Sequence, residues 1–149
     1  MKIENKDEYI KYRFKRAEES LDDALILIEK NKWNTTINRL YYSCFYAVIA
    51  LLLKNDIETR THDGARTKFS NEFIKTGKLD KKYGKLFSKL FDYRQKGDYG
   101  DFFDFDDKIV LPLGRQTGNS KRVIHLDRTI VFKELIRLNP CNPLRNFEF

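Results

Sequence analysis

Between Thr35 and Lys54 the chain reads TTINRLYYSCFYAVIALLLK, a stretch without glycine or proline that is apolar on almost every face. One stripe, Ile37, Leu40, Tyr41, Cys44, Val48, Leu51 and Leu52, keeps the three-and-four spacing of an α-helix. A second, Tyr42, Phe45, Tyr46, Ile49 and Leu53, covers the opposite side. A helix apolar all round is buried on all sides, so this segment is expected to be the central helix of a bundle. Its uninterrupted apolar run, Cys44 to Leu53, is ten residues, whereas roughly 20 are needed to span a bilayer. The expectation is core and not membrane, with Leu40, Cys44, Val48 and Leu51 showing little exposure.

The flanks supply partners for such a helix. From Lys6 to Lys30 the residues Ile10, Phe14, Ala17, Leu21, Ala24, Leu25 and Ile28 recur at helical spacing with charges between them, which predicts a long amphipathic helix. Asn31 to Asn34 is a short break, with Asn34 or Thr35 the expected N-cap of the central helix. A connection this short makes the first two helices antiparallel neighbours. After Lys54, Thr61 or Asp63 is placed to cap a third helix carrying Ala65, Phe69 and Phe73, which Gly77 ends. Asp80 caps a fourth, with Tyr83, Leu86, Phe87, Leu90 and Phe91 on its apolar stripe. Short loops and the lack of period-two alternation predict an all-α fold, an antiparallel four- to five-helix bundle.

A chain of 149 residues, 41% hydrophobic and 14% aromatic, is one domain with enough apolar bulk for a core. Residues 1–113 read as the bundle and 114–149 as a basic C-terminal extension. Gly114, Gly118, Asn119 and Ser120 are expected to break any helix begun at Lys108. RTIVFK, from Arg128 to Lys133, fits a strand or part of a helix from Lys121 to Leu138, and the helix is preferred. Pro140 and Pro143 exclude a regular helical ending.

The net charge of +7 is unevenly spread: residues 1–107 carry 21 Lys/Arg against 19 Asp/Glu, and 108–149 carry eight against three. An anionic partner such as nucleic acid is one reading, and a well-solvated surface is the other. Met1 to Lys15 is mostly polar and charged, unlike a signal peptide, so the expected location is the cytoplasm. Cys44 and Cys141 form neither a disulfide framework nor a metal site, and Cys44 is assigned to packing. The acidic aromatic segment DYGDFFDFDD, Asp98 to Asp107, lacks the glycine and terminal glutamate of a calcium loop. Phe102, Phe103 and Phe105 are expected to tuck it under the bundle instead. No metal or cofactor is expected, and no glycine-rich phosphate loop is present in the sequence.

Two polar residues interrupt apolar faces. The stripe Tyr83, Phe87, Leu90 predicts an apolar residue at the next inward step, where the sequence has Arg94. A buried arginine must find a partner. Asp98, one turn later, is the nearest, although Gly97 weakens helix continuation. Asn38 lies on the face of Tyr42, Phe45 and Ile49. Both residues fit either satisfied structural groups or a site.

RAEESLDDA in the first helix, NRLYYSCFYAVIALLL in the second, THDG at the entry to the third and LFDYRQKGDY closing the fourth together resemble the HEPN domains. The similarity covers roughly residues 10 to 107, and points to the small stand-alone branch often encoded beside a minimal nucleotidyltransferase. The resemblance implies a dimerising helical bundle with RNA- or nucleotide-related roles. Many HEPN proteins are metal-independent ribonucleases whose motif is an arginine followed four to six residues later by a histidine. A base deprotonates the ribose 2′-hydroxyl while a cation holds the phosphate. Arg94 matches that arginine. The histidine is missing, because residues 98 to 100 read Asp-Tyr-Gly. An aspartate with a pKa of about 4 is a poor base at neutral pH. Activity is then absent, or it draws on His62, which also reads as a helix-entry or packing residue. The family's closing amphipathic helix has no evident match after Leu113.

Three functions follow. The first is an interaction module, a homodimer partnering a nucleotidyltransferase in a toxin–antitoxin or stress-defence system, with RNA a further partner. The second is an endoribonuclease using Arg94, and the third is a small-ligand or nucleotide-binding bundle. Candidate catalytic residues are Arg94, Asp98 and His62, and candidate binding residues are Asn38, Arg94 and Tyr99. The missing histidine favours the non-enzyme, and an arginine in a cleft near a dimer axis is the expected geometry.

Overall fold

A computed structural model describes residues 5–100 and 103–117, with Tyr99 and Arg115 described by backbone alone. Helix α1 spans Lys6–Glu29, opened by the Asn5 side chain, which accepts the Glu8 N–H. Asn31, in the left-handed region at φ 54°, reverses the chain. The N–H groups of Asn31 and Lys32 then donate back to the carbonyls of Ile28 and Leu27 at 3.0 and 2.9 Å.

Helix α2 spans Trp33–Lys54 and closes the same way. Asp56 sits at φ 60°, and the N–H groups of Asp56 and Ile57 donate to Leu53 and Leu52. Asparagine and aspartate are the non-glycine residues that tolerate this backbone best. The start of α2 differs from the expected one. Lys32 stands at the N-cap without a side-chain bond, and Asn34 and Thr35 lie inside the first turn. Asn34 is engaged elsewhere: its Oδ1 accepts the Phe105 N–H at 2.8 Å and its amide donates to Asp104 at 2.9 Å, which pins the segment just before Asp107.

Thr61 caps α3, His62–Phe69, and a π-helical turn, Ser70–Ile74, continues it with Phe73 buried. Gly77, at φ 76°, makes the turn. Asp80 accepts the Lys82 N–H and opens α4, Lys81–Tyr99. Gly97 does not stop this helix. A Cβ there would come within 3.1 Å of the Phe105 ring, so the glycine lets Phe105 pack against the last turn, against a helix-propensity cost of about 1 kcal/mol.

Helix α5, Asp107–Thr117, overturns the expectation that Gly114 breaks the chain there. Pro112 forfeits the bond its nitrogen would make to the Lys108 carbonyl. Against that, Val110, Leu113 and Thr117 are buried and Ile109 packs on the core. Full burial of a valine- or leucine-sized side chain contributes about 1.5–3 kcal/mol, so tertiary packing outweighs local propensity. Helix α5 thus runs on past Leu113 to Thr117. The stretches 121–138 and 140–149 fall outside the described residues.

Helix α2 packs on α1, α3, α4 and α5, and Leu40, Cys44, Val48 and Leu51 are buried as expected. Among the described residues it is the one helix long and apolar enough to cross a membrane, and it serves instead as the core. Small residues, Ala17, Ser20 and Ala24 on α1 with Ser43, Ala47 and Ala50 on α2, are buried and favour close approach of these helices. The Ser43 hydroxyl donates to the Ala17 carbonyl at 2.9 Å. Burial on all sides is not observed, however. Tyr42, Phe45, Tyr46, Ile49 and Leu53 are only half-buried, because the covering helices leave that face of α2 partly open. Of the acidic loop, Phe105 is buried while Phe103 is 37% exposed. Phe102 lies outside the described residues.

Candidate functional site

The open face of α2 meets the last turns of α4 at Arg94. The inward stripe of α4 carries Arg94 toward two tyrosines. Its Cζ stands 5.2 Å from the Tyr41 ring centre and 5.3 Å from that of Tyr42. Its Nη2 donates to the Tyr42 hydroxyl at 3.3 Å. One turn on, Asp98 Oδ2 is 3.3 Å from Nε, yet that buried Nε has no hydrogen-bond partner. The pair is therefore held by charge rather than by a directed hydrogen bond. The Arg94 side chain is 14% exposed and that of Asp98 35%, so the guanidinium is largely sheltered and its counter-ion sits at the rim.

His62, at the start of α3, reaches the same tyrosines from the other side. Its Nδ1 is 2.7 Å from the Tyr41 hydroxyl, and its ring stacks on Phe45 with centres 4.3 Å apart. The imidazole centre lies 5.8 and 6.0 Å from those of Tyr41 and Tyr42. Arginine and histidine thus face the same pair of rings, although 32 positions separate them in sequence. Burial, and after it the Arg94 charge, lowers the His62 pKa from 6.5. Burial likewise raises Tyr41, against the opposing charges of Arg94 and Arg66. At neutral pH both groups are uncharged. Arg66 lies over Phe91 with Cζ at 4.4 Å and donates to Asp63, completing the rim.

The expected set is only partly assembled. Arg94, Asp98 and His62 come together. Asn38 does not reach Arg94: its Oδ1 accepts from Nε and Nη2 of Arg39, at 3.2 and 2.7 Å, and the Arg39 guanidinium lies over Tyr42. Tyr99 ends α4, and its side chain lies outside the described residues. Sequence reasoning missed Tyr41 and Tyr42 as site residues because both fit an apolar stripe. The legible signal was Tyr42 on the face already marked by Asn38. Cys44 is buried, and its thiol is pushed up to about 12, which keeps it protonated and inert.

Two expectations follow from how His62 is held. Thr61 caps α3 by accepting the Gly64 N–H at 2.9 Å. A Cβ on Gly64 would stand 2.7 Å from the hydroxyl oxygens of both Thr59 and Thr61. Gly64→Ala should therefore displace the cap and cost about 1–2 kcal/mol, measurable by urea unfolding. The second concerns pH. Because the folded His62 pKa lies below the unfolded one, the unfolded chain takes up this proton first. The contribution to stability is fully present above pH 6.5, declines as pH falls below it, and is lost once the folded pKa is passed. His62→Gln should remove that share of the decline in melts between about pH 7 and 5. An unchanged slope would assign the decline to other groups.

An all-α bundle whose fourth helix lodges an arginine among aromatic rings defines a small helical module with a sheltered cationic cleft. Residues 10–123 match the HEPN domain, and the chain belongs to that family. It is similar to the UPF0332 protein of Thermotoga maritima, 39% identical over 108 residues that span 72% of this chain and 82% of that one. It is also similar to two proteins of Methanocaldococcus jannaschii. "Putative toxin MJ0142" is 38% identical over 56% of this chain and 57% of its own length. "Putative toxin MJ0605" is 34% identical over 64% and 72%. The chain therefore spans little more than half of MJ0142.

Proposed function

We propose that this chain is the toxin-like HEPN member of a toxin–antitoxin or stress-defence pair, an RNA-associated module whose counterpart is a nucleotidyltransferase. The observation that carries the reading is the setting of Arg94. A guanidinium sheltered over two tyrosine faces, with its carboxylate at the solvent rim and one buried N–H unmet, is suited to exchange that partner for a phosphate. Two relatives named as toxins support the system, and the half-buried Ile49 and Leu53, further along α2 than Tyr42 and Tyr46, support association into a homodimer. The setting proposed is cytoplasmic.

A second reading, a metal-independent endoribonuclease, is favoured by the place of His62. In the tautomer whose Nδ1–H donates to the Tyr41 oxygen, Nε2 keeps its lone pair and is available to take a 2′-hydroxyl proton while Arg94 holds the phosphate. Expression alone and together with a candidate nucleotidyltransferase partner, beside RNA binding and cleavage in the presence of a chelator, tests both. Growth arrest relieved by the partner, with RNA bound but intact, supports the first. Cleavage lost in His62→Gln supports the second. Neither arrest nor RNA binding would refute both.

A further inference from the structure

The cationic and aromatic surface does not stop at Arg94. Tyr46 lies one turn along α2 from Tyr42, with ring centres 5.6 Å apart. Two arginines of α1 flank it, Arg13 with Cζ at 5.4 Å and Arg16 at 5.6 Å from the ring centre. Tyr42 is flanked in the same way by Arg39 at 5.4 Å and Arg94 at 5.3 Å. Because α2 lies against both α1 and α4, these six side chains make a continuous strip across three helices. With neighbouring helix axes about 8–10 Å apart, that strip is longer than one nucleotide needs.

Half of the charge on the strip is unspent, two of its four guanidinium groups facing no carboxylate among the described residues. Arg13 donates to the neutral Tyr9 hydroxyl and Arg39 to the neutral Asn38 amide oxygen. The carboxylates that do pair, Glu19 with Arg16 and Asp98 with Arg94, stand at opposite ends. Alternating aromatic faces and guanidinium groups are what a single-stranded nucleic acid needs: phosphates meet cations, and bases find rings of any sequence to stack on. A two-fold contact centred on the strip would set arginine against arginine, so a second copy of this chain is the less complementary occupant.

We propose that single-stranded RNA lies along this strip, with Arg13, Arg16 and Arg39 holding successive phosphates, Tyr42 and Tyr46 receiving bases, and Arg94 at one end. The proposal rests on the RNA reading above and adds the class of RNA and the path it takes.

The test is fluorescence anisotropy of the full chain with a labelled twelve-nucleotide oligouridylate over a range of salt. Arg13→Gln/Arg16→Gln changes the end of the strip on α1, where neither residue contacts Arg94 or His62 directly, and its fold is checked by thermal melting. It should weaken binding about tenfold, equivalent to ~1.4 kcal/mol, and flatten the salt slope by about 1.4 for two single-strand phosphate contacts. Lys81→Gln/Lys85→Gln, which removes two exposed charges from the far end of α4, should change neither by a comparable amount. Equal losses in both double variants would overturn the strip in favour of diffuse charge attraction. Unchanged affinity and slope in the arginine variant, with Arg94→Ala still defective, would overturn the strip and leave the RNA reading standing. A shift of the variant's sedimentation toward monomer without a change in RNA affinity would make the strip an interface between copies and overturn the proposal. No binding by the parent chain would overturn the RNA reading itself and the strip with it.

Discussion

Arg94→Ala is expected to leave the bundle folded, cost about 2 kcal/mol in stability, weaken RNA binding and abolish any cleavage. The stability figure follows from what the guanidinium touches. It lies over two tyrosine rings, and such contacts contribute about 0.5–1 kcal/mol at exposed sites and more when sheltered. Its pair with Asp98 adds little, because the carboxylate keeps about a third of its exposure and pairs in contact with water contribute about 0–1 kcal/mol. Removing one partner of a fully buried pair would instead cost about 3–5 kcal/mol. Here the carboxylate left behind remains hydrated. Arg94→Lys should recover part of the stability and little of the function, since an ammonium does not present the planar fork that grips a phosphate by two bonds. Urea melts beside RNA binding decide the matter. A loss above about 4 kcal/mol with unaltered RNA binding would make Arg94 structural.

Where local pattern and tertiary packing agree, the sequence was legible. The stripes of α1 and α4 gave their inward faces, and Asn5, Thr61 and Asp80 cap helices with side-chain bonds; of these, Thr61 and Asp80 were expected. The misreadings share a cause: a local signal used for a distant purpose. Asn34, one of two expected caps with Thr35, instead holds the Phe105 backbone, 71 positions away. Gly97, expected to weaken the helix, is a close-approach site for the same phenylalanine. Gly114 reads as a breaker, yet Val110, Leu113 and Thr117 draw the chain into α5.

The site divides along the same line. Arg94 and Asp98 are one helical turn apart, so their pairing could be read from spacing alone. The approach of His62 could not, because it depends on how α3 enters beside α2, and spacing carries no such information. Helical spacing sets Asn38 on the face of Tyr42 but is silent on Arg39, which donates to its oxygen at 2.7 Å.

Tyr41→Ala should be the most damaging single change near the site, costing about 3–5 kcal/mol as for other large aromatic truncations in cores. The side chain is fully buried. Its ring stacks against Phe45 and Phe87, with centres 5.9 Å away in each case, and meets the edges of Tyr42 and Phe91 at 5.4 and 6.1 Å. Truncation would open a cavity at the junction of α2 and α4, which rigid helices refill only in part. It would also remove the surface beneath both Arg94 and His62. Tyr41→Phe separates the ring from the hydroxyl. The stacking survives, while His62 Nδ1 loses its 2.7 Å partner, at a cost of about 1 kcal/mol. The phenylalanine variant should therefore unfold near the parent's urea midpoint and the alanine variant far below it. If the chain cleaves RNA, the phenylalanine variant should also show an altered pH–rate profile, because nothing then fixes the imidazole tautomer. Equal destabilisation by both substitutions would show that the hydroxyl, rather than the ring, holds this junction together. A loss below about 1 kcal/mol in the alanine variant would contradict the buried aromatic cluster on which the site is built.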